Sequence, residues 1–145
     1  MVGIIITGHG RFADGMTSCI ELIAGKQENY IAVNFEHEVD QLTNDLKNAI
    51  ESLKDCEGIL VFCDLAGGSP FKTIVLLSQE YENIEIIAGT NMPMIAEIAM
   101  ARSFGTDLAS LVDMAINTGK EQVVHFDIDS LKVQDEFDED FSDGI

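Results

Sequence analysis

The sequence predicts an α/β fold: a doubly wound, mostly parallel sheet in the strand order 2-1-3-4, with helices on both faces. Three observations carry this. Short apolar, β-rich runs alternate with stretches of helical periodicity four times along the chain. Residues 2–7 and 59–63 include apolar runs without a polar break, the pattern of strands covered on both faces. The strand ends run into turn and capping residues, Gly8-His9-Gly10, Gly67-Gly68-Ser69-Pro70 and Gly89-Thr90-Asn91.

In chain order, residues 2–7 form the first strand, ending at Gly8-His9-Gly10. Met16, Cys19, Ile20 and Ile23 recur at helical spacing within residues 14–24, and Gly25 supplies a C-cap. Residues 30–35 read as the second strand. Val39, Leu42, Leu46, Ala49 and Leu53 trace one stripe of a long amphipathic helix. The third strand, residues 59–63, delivers a carboxylate, Asp64, at its end. After the glycine pair, Ser69 is suited to cap the next helix and Pro70 to its first turn, and that helix runs over residues 69–81. Residues 84–88 are the fourth strand. Helices over 94–102 and 107–117 follow, the second with Leu108, Leu111, Val112 and Ala115 facing inward, and residues 122–126 form a short last strand. Residues 1–131 make one domain, and residues 132–145 form an acidic tail expected to be disordered.

The totals bound the function. No run approaches the roughly 20 apolar residues of a membrane span, and no signal peptide is legible at Met1-Val2-Gly3, so a soluble cytoplasmic protein is expected. The three cysteines, Cys19, Cys56 and Cys63, form no C-x-x-C pair, which fits reduced, mostly buried thiols and suggests no metal set and no cofactor. The net charge is −18; residues 127–145 hold eight acids against Lys132 alone, and the remainder holds 18 acids against seven bases. With no basic stripe to displace counterions, nucleic acid is excluded as a partner, whereas a basic protein would be steered toward this surface.

In a doubly wound sheet, ligands bind beyond the carboxyl ends of the strands, where the strand order reverses. The order 2-1-3-4 puts that point between strands one and three, which end in His9 and Asp64. A neutral imidazole is a nucleophile near pH 7, and the hydrogen bond at one ring nitrogen selects the other for attack. Asp64 accepting from Nδ1–H leaves Nε2 to take a phosphoryl group and stabilises the cationic ring that results. Gly8, Gly10, Gly67 and Gly68 flank this point as a phosphate-binding loop, and the N–H groups near Ser69, with its hydroxyl, suit the phosphoryl oxygens. The rivals are weaker. Gly67-Gly68-Ser69-Pro70-Phe71 lacks the last glycine of a serine-hydrolase elbow, and no nucleotide-binding loop pattern occurs. A receiver-like domain phosphorylated on Asp64 would need further acids where strand one supplies Gly-His-Gly. His37 and His125 read as ordinary residues, and Arg11 as a solvated arginine.

These residues also resemble a family. Gly8-His9-Gly10, Asp64 with Gly67-Gly68-Ser69-Pro70-Phe71, Gly89-Thr90-Asn91-Met92-Pro93-Met94 and Met100-Ala101-Arg102 are similar to the IIA components of the mannose family of the bacterial phosphoenolpyruvate-dependent sugar phosphotransferase system. The resemblance extends to about Phe126. It implies that His9 accepts phosphate from phospho-HPr and passes it to a IIB component, with Asp64 orienting His9 and Ser69 contacting the phosphoryl group. The membrane components IIC and IID would be engaged only indirectly. It further implies a homodimer in which the short last strand, antiparallel to the others, exchanges between subunits and covers an open sheet edge. Leu65-Ala66 stand where the best-known members carry Thr-Trp, Lys72 replaces a small polar residue, and an acidic tail is added. The alternative is a regulatory domain of the same fold, whose phosphorylation on His9 switches a protein partner. A binding module without chemistry leaves the His9–Asp64 pairing unexplained.

Overall fold

A computed structural model describes residues 1–132. Its strands are β1 (Gly3–His9), β2 (Tyr30–Phe35), β3 (Ile59–Cys63) and β4 (Ile84–Ile87), and its helices are α1 (Phe12–Ala24), α2 (Val39–Ser52), α3 (Gly68–Ser78), α4 (Met92–Arg102) and α5 (Leu108–Glu121). The four strands pair in parallel in the order β2-β1-β3-β4, as expected.

Alternation along the central strands builds two cores. Ile4, Ile6, Leu60 and Phe62 pack with Ala13 and Ile20 of α1, Ile95 and Ile98 of α4, and Leu111 and Ala115 of α5. Ile5, Val61 and Cys63 point the other way, against Leu42, Leu46 and Ile50 of α2 and Ile74 and Leu77 of α3. A strand that supplies both cores turns side chains into apolar surroundings on either face, which is why residues 4–6 and 59–63 are apolar throughout.

Arg102 ties the amino-terminal end of this sheet together. Almost fully buried, it donates from Nη1 to the carbonyls of Val2 (2.9 Å) and Asn29 (3.0 Å), and from Nη2 to Gln27 Oε1 (3.2 Å) and the Glu28 carbonyl. One charged fork thus satisfies acceptors from the residue that leads into β1 and from the α1–β2 turn. Replacing Arg102 with methionine is expected to lower the unfolding free energy by about 3 kcal/mol, since charge-assisted bonds are lost and carbonyls orphaned. A denaturant titration checks this, and a change below about 1 kcal/mol would discount the clamp.

Several expectations need correction. β1 runs two residues past Thr7 and includes His9. Cys19 is exposed and Cys56 only half-buried, so Cys63 alone is a buried thiol; the buried residues of α1 are Ala13 and Ile20. Helix α3 starts at Gly68 with Gly67 as N-cap, so Ser69 does not cap it and Pro70 is its third residue. Helix α5 continues to Glu121, and within the single chain residues 122–126 form no strand; Val123 and Val124 stand exposed, followed by a 3-10 turn at Ile128–Lys132. Among the described residues of the single chain there is thus no fifth strand; the expected pairing was with a second copy. The tail from residue 133 onward lies outside the described residues. Among the described residues no helix is long and apolar enough to cross a membrane.

Candidate active site

The parallel register sets Thr7 opposite Cys63 and His9 opposite Phe35, so His9, Asp64 and Phe35 leave the carboxyl edge of the sheet together. The ladder extends one step further, with the Asp64 N–H donating to the Thr7 carbonyl at 3.2 Å. The end of β3 is anchored from its other side, where Thr90 donates its hydroxyl to the Cys63 carbonyl at 2.7 Å.

Asp64 and His9, 55 residues apart in sequence, are joined twice. Asp64 Oδ2 accepts from the His9 backbone N–H at 2.9 Å and lies 2.8 Å from His9 Nδ1. The second carboxylate oxygen, Oδ1, accepts from the Leu65 N–H at 2.9 Å. Burial pushes the Asp64 carboxyl up, but the hydrogen bonds from His9, the attraction of its ring and the Leu65 N–H together hold it below the ordinary value. An ionised carboxylate only accepts, so the proton between the pair sits on Nδ1 and Nε2 carries the free lone pair. Because the native value is depressed, these bonds contribute fully above the unfolded-chain carboxylate range, about 3.9, and are lost as pH falls through the native value. The ring is 44% exposed at its side chain and Asp64 12%, which leaves the imidazole open to a large partner while its orienting group is sheltered.

Two glycines give this pair its room. A Cβ on Gly8 would come within 2.6 Å of the Phe12 ring and 2.9 Å of the Asp64 carboxyl carbon, so Gly8 serves the close approach of Asp64. A Cβ on Gly68 would stand 2.7 Å from His9 Cε1 and 2.8 Å from Nε2, and its φ of +76° is one that side chains rarely adopt. Helix α3 therefore begins against the very edge of the imidazole that carries the free nitrogen. Gly67, Gly68 and Ser69 hold the N–H groups that precede the first intrahelical bond, and Pro70 brings none, so an anion beside Nε2 would meet unpaired donors and the positive end of the helix. Ser69 lies half-buried in this turn and lines the clefts along α3 with Lys72. Gly10 donates its N–H to the Phe35 carbonyl at 2.7 Å, so that donor is spent.

The neighbouring thiol is not a competing nucleophile: burial, and then the charge of Asp64, push Cys63 up to about 12. Arg11 is exposed and pairs with Asp14 at 3.1 Å, while His37 and His125 lie exposed on the surface. Among the described residues no three His, Cys, Asp or Glu side chains gather as a metal site.

Comparison with known proteins identifies the family. The family described as the PTS system fructose IIA component (EIIA-man) matches residues 3–116. The chain belongs to the mannose-type IIA family of the phosphotransferase system. It is similar to the mannose-specific EIIAB component of Escherichia coli (strain K12), 32% identical over 124 residues that cover 84% of this chain but 38% of that protein. It is likewise similar to the fructose-specific EIIA component of Bacillus subtilis (strain 168), 27% identical over 104 residues covering 70% of this chain and 71% of that one. Among solved structures, a phosphotransferase system component EIIA from Streptococcus agalactiae superposes with a TM-score of 0.79 at 36% identity, over 87% of this chain and 98% of that chain. A mannose/sorbose-specific IIA subunit from Enterococcus faecalis, 22% identical, shares the fold with a TM-score of 0.79 over 88% and 96% of the two chains. The chain thus spans well under half of its Escherichia coli relative and nearly the whole of the Streptococcus agalactiae chain.

In this IIA chain Phe35, Phe12 and the Leu65 N–H complete the surroundings of His9 and Asp64 without having been singled out in the sequence. The strand order would have pointed to Phe35, the last residue of the strand beside β1; Leu65 stood out only as a departure from the family's Thr-Trp pair, and nothing local marks its N–H as a donor to Asp64. Replacing Gly68 with alanine drives a methyl group into the ring and strains the backbone, so the His9 ring must turn away. A loss of phosphoryl acceptance on the order of a hundredfold is expected from misplacement of that size. A wild-type rate for Gly68→Ala in a single-turnover assay would show that the ring edge at Gly68 is not the reacting edge.

Proposed function

We propose that this protein is a phosphocarrier of a sugar phosphotransferase system, accepting a phosphoryl group from phospho-HPr on His9 and passing it to a IIB component. The observation that carries this reading is the Asp64 carboxylate bound to Nδ1, which leaves Nε2 free at the amino end of α3. In the forward step the Nε2 lone pair forms the new N–P bond while the electron pair of the donor's P–N bond returns to the donor ring. The Nδ1 proton stays between ring and carboxylate. His9 becomes cationic as the donor ring loses its charge, and Asp64 lies 2.8 Å from the nitrogen that shares that charge. The N–H groups of Gly68 and Ser69 receive phosphoryl oxygens, and the Ser69 hydroxyl adds a donor. Transfer onward reverses these events toward the IIB nucleophile, which an exposed ring permits.

The working form in this reading is a cytoplasmic homodimer, with the membrane components reached only through IIB. Val123, Val124 and Phe126, exposed in the single chain, would form the antiparallel strand that a second copy accepts.

The test is transfer itself. Incubation with phosphoenolpyruvate, enzyme I and HPr is expected to yield an acid-labile, base-stable phosphate on His9. Label on Asp64 would mean a receiver-like switch. Absence of label would overturn the carrier reading in favour of a binding or regulatory module.

A further inference from the structure

We propose that Lys72 contacts the phosphoryl group carried on His9, its ammonium donating to a phosphoryl oxygen from the turn of α3 that follows Gly68. This deepens the phosphocarrier reading and rests on it. The donors placed so far around Nε2, the N–H groups at the start of α3 and the Ser69 hydroxyl, are all neutral. The group they receive carries about two negative charges. It arrives beside the Asp64 carboxylate, in a chain whose net charge is −18. A cation within reach offsets that repulsion and makes a charge-assisted bond, stronger than a neutral one.

Lys72 is placed for this. It stands four positions after Gly68 and three after Ser69, so it continues their side of α3, an exposed stripe that runs on to Leu76. Gly68 opens that stripe against the imidazole: the Cβ it lacks would stand 2.8 Å from Nε2. Helical side chains lean toward the N-terminus, and the four-carbon lysine stem spans the one turn, about 5.4 Å, back to Gly68. Gly67, Gly68, Ser69 and Lys72 share the wall of one open cleft of about 510 Å³. The charge is also uncommitted, since Lys72 enters none of the ion pairs formed among the described residues. Arg11, the cation two residues past His9, is paired with Asp14 at 3.1 Å. The ammonium donates a hydrogen bond and keeps its proton, so the balance of the transfer step is unchanged.

The test compares two phosphoryl donors on the full chain, phospho-HPr and phosphoramidate. With phosphoramidate the Nε2–P bond forms as the donor's P–N bond breaks and ammonia leaves, and no carrier protein is present. Lys72→Gln is expected to lower the single-turnover rate about tenfold with both donors, the low end for a charge-assisted bond at an open site. Lys72→Arg, which keeps the cation, is expected to stay within about threefold of wild type with both. Lys72 is exposed and in no ion pair, so neither variant should change the melting temperature. A loss confined to phospho-HPr would make Lys72 a docking residue for the carrier and overturn the proposal. So would wild-type rates for Lys72→Gln with both donors. A wild type that phosphoramidate leaves unlabelled overturns it too, because the turn would then not hold a phosphoryl group by itself. A wild type labelled by phosphoramidate but not by phospho-HPr fails the carrier reading alone, and the Lys72→Gln rate with the small donor still decides the role of Lys72.

Discussion

Alanine at position 9 is expected to abolish phosphate uptake while the protein stays folded. The imidazole contributes little to either core; what it gives the fold is the bond from Nδ1 to Asp64 and the edge contact with Phe35. Asp64 keeps two of its three donors when the side chain is removed, the backbone N–H groups of residue 9 and of Leu65. The cost to stability should stay near 1 kcal/mol, the usual net value of one hydrogen bond. The chemical loss, by contrast, is expected to be complete, because the ring nitrogen that stands against the start of α3 goes with the side chain and the thiol of Cys63 is held protonated by burial. Labelling through phosphoenolpyruvate, enzyme I and HPr, beside a thermal melt, separates the two effects. Full labelling of the alanine protein would move the acceptor elsewhere.

Asp64→Asn is expected to slow phosphoryl acceptance by about three to four orders of magnitude, as loss of the carboxylate behind a catalytic histidine does elsewhere. The reason lies in the donor count. Three N–H groups converge on Asp64, two on Oδ2 and one on Oδ1, and the ionised carboxylate accepts all of them. An amide offers one oxygen and two hydrogens. If its oxygen faces His9, its NH2 group confronts the Leu65 N–H; if its NH2 group faces His9, the ring must accept at Nδ1 and carry its proton on Nε2, which removes the attacking lone pair. Either way the charge that balances a cationic phosphohistidine is gone. Single-turnover kinetics and the ring nitrogen signals together check this. A rate within about twofold of wild type would remove Asp64 from the mechanism.

Much of this architecture was legible because local chemistry and the global fold agree. Uninterrupted apolar runs marked strands with two buried faces, and Asn91 and Asp107 cap their helices with their own side chains, as residues of that kind do. His9 stood out as a reactive side chain between two glycines at a strand end, and Asp64 as a carboxylate at the end of another strand, shortly before the pair Gly67-Gly68. The boundaries were less legible. Ser69 and Pro70 look like the start of a helix, yet α3 begins at Gly68, because the chain must turn tightly enough to set its first residue against the imidazole. Cys19 falls on a helical apolar spacing but points to solvent, since a helix resting on a sheet buries a stripe narrower than its apolar residues can span. Residues 122–126 have strand composition but find no partner strand among the described residues, and strand formation needs a partner as much as propensity.

What the sequence determined by itself was the set of elements, their parallel alternation and the two reactive side chains, because these follow from periodicity and from residue type at strand ends. What only the tertiary structure decided was the surroundings that give those side chains a direction. Asp64 gathers three N–H groups, Gly68 presses on the ring edge, and Phe35 stands across from it, 26 positions away in the chain but opposite His9 in register. Such contacts depend on which strands lie side by side. That choice is made by burying two core faces at once, a condition on the whole sheet that no local stretch records.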